Sequence, residues 1–156
     1  MRVFFFGGDK DTMSMLEVIA QRAAALVGQT FREAGQQDRP LTAEDVVILV
    51  AHNTRVSIVR AFLTQLCEPD ITVGTADKLQ GSQWVAAVAL DGLVGAPSAA
   101  GHGGSFGRLC VMASRHRAHL TWVHDGGWAD LIDQDEDLPM KDQRLIHSVR
   151  TALCSC

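Results

Sequence analysis

Val46-Val47-Ile48-Leu49-Val50, running into Ala51-His52-Asn53-Thr54-Arg55, is the stretch on which the fold turns. Five consecutive apolar residues, four of them β-branched, with no polar alternation describe a strand covered on both faces, the situation of a strand inside a parallel sheet. Parallel strands require crossovers, so helical patterns are expected to either side. Downstream, Val56, Val59, Phe62, Leu63 and Leu66 recur at near-helical spacing between Thr54 and Leu66. Upstream, an apolar run Val3 to Phe6 reads as a strand, followed by a helix from about Thr12 to Ala34 carrying Met15, Ile19, Ala23, Leu26 and Phe31, with Asp11 or Thr12 as its cap. Ile71 to Gly74, Val85 to Leu90 and Leu120 to His124 read as three further strands. Gly92 to Gly107 is glycine-rich and reads as a mobile loop. Gly126-Gly127-Trp128 opens a short helix to about Ile132, Asp133 to Asp137 forms a solvated acidic turn, and residues 141 to 153 form a last helix with Leu145, Ile146, Val149 and Leu153 inward. Alternating strands and helices predict an α/β, doubly wound parallel sheet with helices on both faces.

The composition agrees with this. The 156 residues are 47% hydrophobic and 21% charged, a globular balance that excludes disorder and coiled coil. A single domain is expected over residues 1 to 156, with a core to about 125 and a helical extension over 126 to 156. No apolar run approaches the roughly 20 residues that cross a bilayer, and Met1 to Phe6 is too short for a signal peptide, so no membrane partner and a cytoplasmic location are expected. Fourteen Lys and Arg against eighteen Asp and Glu give 14 − 18 = −4, so the average surface repels a phosphate backbone and any nucleic-acid contact must be local. Cys67 and Cys110 read as buried or idle thiols, and Cys154 and Cys156 form one C-x-C without a second ligand pair. No metal site is expected from them.

Three segments flank the strands where ligands gather in such sheets. They are Ala51-His52-Asn53-Thr54-Arg55, then Val73-Gly74-Thr75-Ala76-Asp77-Lys78-Leu79-Gln80-Gly81-Ser82-Gln83-Trp84, then Gly107-Arg108-Leu109-Cys110-Val111-Met112-Ala113-Ser114-Arg115-His116-Arg117. In that order they resemble helicase motifs four, five and six of the second, C-terminal RecA-like domain of superfamily 1 helicases, over residues 1 to about 125. The resemblance implies a RecA-like sheet and half of an ATP site shared with an N-terminal RecA-like domain. Phosphoryl transfer builds charge on the γ-phosphate oxygens, which an arginine from a facing domain neutralises. Arg115 matches the finger position of the S-R-x-[KR] motif, and Arg55 is the second candidate for the phosphates. Gln80 and Gly81 match nucleotide-contacting positions, Arg117 is a further candidate there, and Gln83 stands where relatives carry an acid for the ribose; its amide oxygen still accepts a hydroxyl hydrogen bond. Thr75, Asp77 and Lys78, with His52 and Asn53, match positions that approach a single-stranded backbone, DNA in preference to RNA. Trp84, Trp122 and Trp128 read as packing residues ahead of base stackers.

What the sequence lacks sets the mechanism. It contains no G-x-x-x-x-G-K-[ST] loop; its nearest glycine-rich stretches, Gly7 to Thr12 and Gly101 to Ser105, have neither the spacing nor the Lys-Thr pair. ATP with Mg²⁺ is therefore expected only together with the N-terminal domain, and the chain is not expected to hydrolyse ATP alone. The alternative is a non-catalytic module on the same fold that binds nucleic acid or protein. A third reading, a small nucleotide- or flavin-binding enzyme, would use Gly7 to Thr12 as its phosphate loop.

Overall fold

The structure, a computed structural model, describes residues 2–6, 11–31, 37–101 and 104–154. Its elements in chain order are β1 (Arg2–Phe6), α1 (Thr12–Ala24), β2 (Thr30–Phe31), β3 (Arg39–Pro40), β4 (Val46–Val50), α2 (Asn53–Gln65), β5 (Thr72–Thr75), β6 (Trp84–Leu90), α3 (Phe106–Ala113), β7 (His116–Asp125), α4 (Trp128–Asp133) and α5 (Met140–Cys154). Five strands form one sheet in the order β1-β7-β6-β4-β5, every neighbouring pair parallel. β2 and β3 form a separate antiparallel ribbon.

The order explains the layering. The chain moves across the sheet from β1 to β4 to β5, then turns back through β6 to β7. Because crossovers between parallel strands are right-handed, reversing direction puts the later connections on the other face. Accordingly Val46, Ile48 and Val50 pack against Met15, Leu16 and Ile19 of α1 and Val59 and Leu63 of α2. Val47 and Leu49 face the opposite way, toward Ala76, Leu109 and Met112 of the β5–β6 connection and α3, and toward Leu153 of α5. All five residues of β4 are fully buried. The chain is thus α/β, a doubly wound parallel sheet with helices on both faces, as expected, and consistent with a RecA-like arrangement.

Several boundaries depart from the sequence expectation. α1 ends at Ala24, not near Ala34: Gly28 takes a left-handed φ of +80° that a side chain rarely adopts, its N–H donates to the Leu41 carbonyl at 2.8 Å, and Thr30 and Phe31 pair with Pro40 and Arg39. The remainder of that predicted helix lies partly outside the described residues. β7 is longer than predicted, because His116 pairs with Trp84 ahead of the core register. The supposed loop from Gly92 to Gly107 buries Leu93, Val94 and Ala99 and contains the start of α3. In α5, Leu145 turns outward at 39% exposed, while Ile146, Arg150 and Leu153 face in. Cys67, expected as a buried or idle thiol, is exposed; both it and Cys110 are free. The C-x-C reading involves Cys156, outside the described residues. Among the described residues no helix is long and apolar enough to cross a membrane.

Candidate functional site

The expected site residues fall on two edges of the sheet. One lies at the amino ends of β6 and β7. There the last turn of α3 ends at Ala113, and Arg115 follows immediately before the strand. Its carbonyl accepts the Trp84 N–H at 2.9 Å, which ties the start of β6 to the segment leaving α3. Its guanidinium donates from Nε to the Val111 carbonyl at 3.1 Å, from Nη2 to Ser114 Oγ at 3.0 Å and from Nη1 to the Ser82 carbonyl at 3.3 Å. The first of these satisfies a carbonyl at the end of α3, a favourable place for a cation. A guanidinium has five N–H groups, so one on each of Nη1 and Nη2 remains after these three bonds.

Ser82 is one residue from Gly81 and two from Gln80, so the structure brings Arg115 to the edge that carries Gln80, Gly81 and Gln83, all exposed. Arg117, also exposed, lies in β7 rather than on a helix. The donor set suits a nucleotide: two guanidinium N–H groups for phosphate oxygens and two exposed amides for ribose or base. It contains no carboxylate, and among the described residues no group of three or more His, Cys, Asp or Glu side chains is placed to hold a metal ion. Arg115 thus fits an anionic group such as a phosphate, and the amides of Gln80 and Gln83 fit a neutral hydrogen-bonding partner.

The other edge lies at the carboxyl ends of the strands. Thr75 is the last residue of β5 and is buried, its carbonyl accepting the N–H groups of Lys78 and Leu79, both at 3.1 Å. That turn exposes Asp77 and Lys78. His52 precedes α2 and is half-buried, and Asn53 opens the helix exposed. Arg55, in the first turn of α2, is only 9% exposed, and its Nη2 donates to the Val94 carbonyl at 2.6 Å. Its Nη1 is buried without a hydrogen-bond partner among the described residues, and burial pushes its pKa down. Arg55 and Arg115 therefore sit at opposite ends of the sheet. Arg55 follows the carboxyl end of β4, and the pull of its neighbours is toward the 91–95 loop.

No family model and no curated protein sequence matches this chain. Residues 76 to 83 join the two edges, crossing the sheet face with Ala76 and Leu79 packed into the cluster that holds Leu109 and Met112. This connection also meets α3 at both of its ends. At the amino edge Arg115 holds Ser82, and at the carboxyl edge Arg108 Nε and Nη2 donate to Asp77 Oδ2 at 3.2 and 3.1 Å.

Three charged residues had no assigned role in the sequence reading. Arg108 was visible only as part of Gly107-Arg108. Asp91 and Arg150 form a buried pair beyond the carboxyl end of β6, Arg150 Nε to Oδ2 at 2.9 Å and Nη2 to Oδ1 at 2.8 Å. Only the general signal of an arginine on an otherwise apolar helix face marks Arg150. Trp122 is fully buried in the core, and Trp84 and Trp128 are half-buried, Trp128 against the His147 ring at 5.2 Å. Gly7 to Lys10 and His102 to Gly103, within the two glycine-rich stretches, lie outside the described residues.

Proposed function

We propose that the chain is the C-terminal motor domain of a superfamily 1 ATP-dependent helicase. In this reading it supplies an arginine finger and single-strand contacts to an ATP site completed by an N-terminal RecA-like domain. The observation that carries the proposal is the position of Arg115. Its guanidinium sits on the edge that exposes Gln80, Gly81 and Gln83, with two N–H groups still to donate. Bound ATP with Mg²⁺ would supply the phosphoryl group and its neutralising cation. This chain's part is to aim Arg115 at the γ-phosphate oxygens, while Gln80 and Gln83 hold the nucleoside side. Residues 76 to 83 then link that edge to the turn of Asp77 and Lys78, where a single strand would lie. Arg55 belongs to the proposal as a buried cation fixing the 91–95 loop, and it would reach a phosphate only by leaving the Val94 carbonyl.

The test joins the full chain to an N-terminal RecA-like domain bearing a phosphate loop and measures ATP turnover with single-stranded DNA. Arg115→Ala is expected to lower kcat by roughly 10³-fold or more, the scale of an arginine finger, with a smaller change in KM. Turnover unchanged by Arg115→Ala would refute the finger assignment. The non-catalytic alternative predicts single-strand binding with no stimulation of turnover by the wild-type chain.

A further inference from the structure

The carboxyl edge carries a cation that the reading above leaves idle. We infer that Arg108 is a second contact for the phosphate backbone of a single strand, held in reserve by Asp77, which a phosphate displaces. The inference rests on the single-strand part of the proposed function.

Three features of the pair support it. Arg108 Nε and Nη2 both approach the same oxygen, Asp77 Oδ2, so the contact lacks the two parallel bonds of a tight guanidinium–carboxylate pair. Asp91 and Arg150 show the tight form in this molecule, using both carboxylate oxygens. Solvent reaches the Asp77 pair as well, with side-chain exposures of 31% for Arg108 and 59% for Asp77, against 1% for each partner of the buried pair. A competing anion can therefore enter without opening the core. Lys78, exposed on the same turn, gives the strand a second cation beside Arg108.

The surroundings set the path of the strand. Arg108 also lines a cavity of about 510 Å³ bounded by Gly101, Gly104 and Ser105, with Asp137 and Asp142 on its wall. Those acids repel a polyanion from the interior. The backbone would therefore run along the rim, over Lys78 and Arg108, and leave the cavity empty of phosphate.

The experiment measures anisotropy of fluorescein-labelled oligo(dT) with the full chain as wild type, Asp77→Asn, Arg108→Ala and the double variant, across a salt series. Thermal melts of all four establish folding. Arg108→Ala is expected to flatten the slope of log Kd on log salt by roughly 0.7, the loss of one phosphate contact on a single strand, and Asp77→Asn to tighten binding by removing the competitor for Arg108. Arg108→Ala is expected to remove that gain. A gain of equal size in the Arg108→Ala background, or no gain although the wild type binds, overturns the inference and leaves the single-strand reading intact. Absence of binding by all four overturns both, while the turnover test of Arg115 stands apart from either result.

Discussion

Asp91 and Arg150 lie 59 residues apart and are each 1% exposed, and their two short bonds pin α5 to the carboxyl end of β6. Asp91 Oδ1 also accepts the Leu93 N–H at 2.9 Å, so the carboxylate orders the following loop. Removing one partner of a buried pair strands the other charge and costs about 3–5 kcal/mol. Arg150→Met is therefore expected to lower unfolding free energy by that amount in urea titration; a loss below about 1 kcal/mol would mean that water reaches Asp91. Asp125, at the end of β7, carries the opposite kind of charge effect. Burial, and after it the nearby Asp91 charge, raises its pKa, while the Gly127 N–H pulls it down. A carboxyl with a raised folded pKa favours folding below its unfolded value, about 3.9, and loses that contribution as pH rises through the folded value. Asp125→Asn keeps an oxygen for the Gly127 N–H and removes the charge. Its melting temperature should exceed wild type at about pH 7 and match it near pH 3.5. A variant less stable than wild type at neutral pH would contradict the assignment.

At the scale of the elements, legibility followed the range of the interactions. β4 and β6 were readable because burial on both faces leaves an unbroken apolar run, and α2 because its apolar period is undisturbed. The end of α1 was not, since Leu26 and Phe31 continue the helical period and only Gly28 marks the stop. The inner face of α5 was misjudged for a different reason. An apolar count favours Leu145, whereas the long-range pair to Asp91 rotates Arg150 inward and leaves Leu145 in water. The same limit applies to the site. Gln80 to Gln83 and Arg115 were legible as motifs in order, but the burial of Arg55 depends on the Val94 carbonyl, 39 residues away. In β5, under the β5–β6 connection, Gly74 gives a local test. A Cβ there would stand 2.8 Å from Leu79 Cγ and Cδ1, so Leu79 would have to move and take the connection with it. Gly74→Ala is expected to cost about 1–3 kcal/mol, and adding Leu79→Ala should recover part of that loss, a non-additivity readable from urea titrations of the two singles and the double. Simple additivity would show that the two positions do not touch.

Across the whole molecule, the helical segment after residue 125 is more than an extension. Ile132 and Ile146 share a buried cluster with Leu93 and Ala99, Leu153 joins the α3 face, and Arg150 neutralises Asp91. α5 therefore forms part of one cover of the sheet, and α4 packs on α5 and the loop around Leu93 and Ala99. The strand order carries a different consequence. β1 lies at the edge and pairs with β7, whose first residue is His116. On a ribosome adding about 5–20 residues per second, the opening Val3 to Phe6 run waits on the order of ten seconds for its neighbour to be synthesised. Until then the nascent polypeptide displays a bare apolar strand, an invitation to chaperones or to aggregation. That strand has no place in the sheet until β7 is there to receive it.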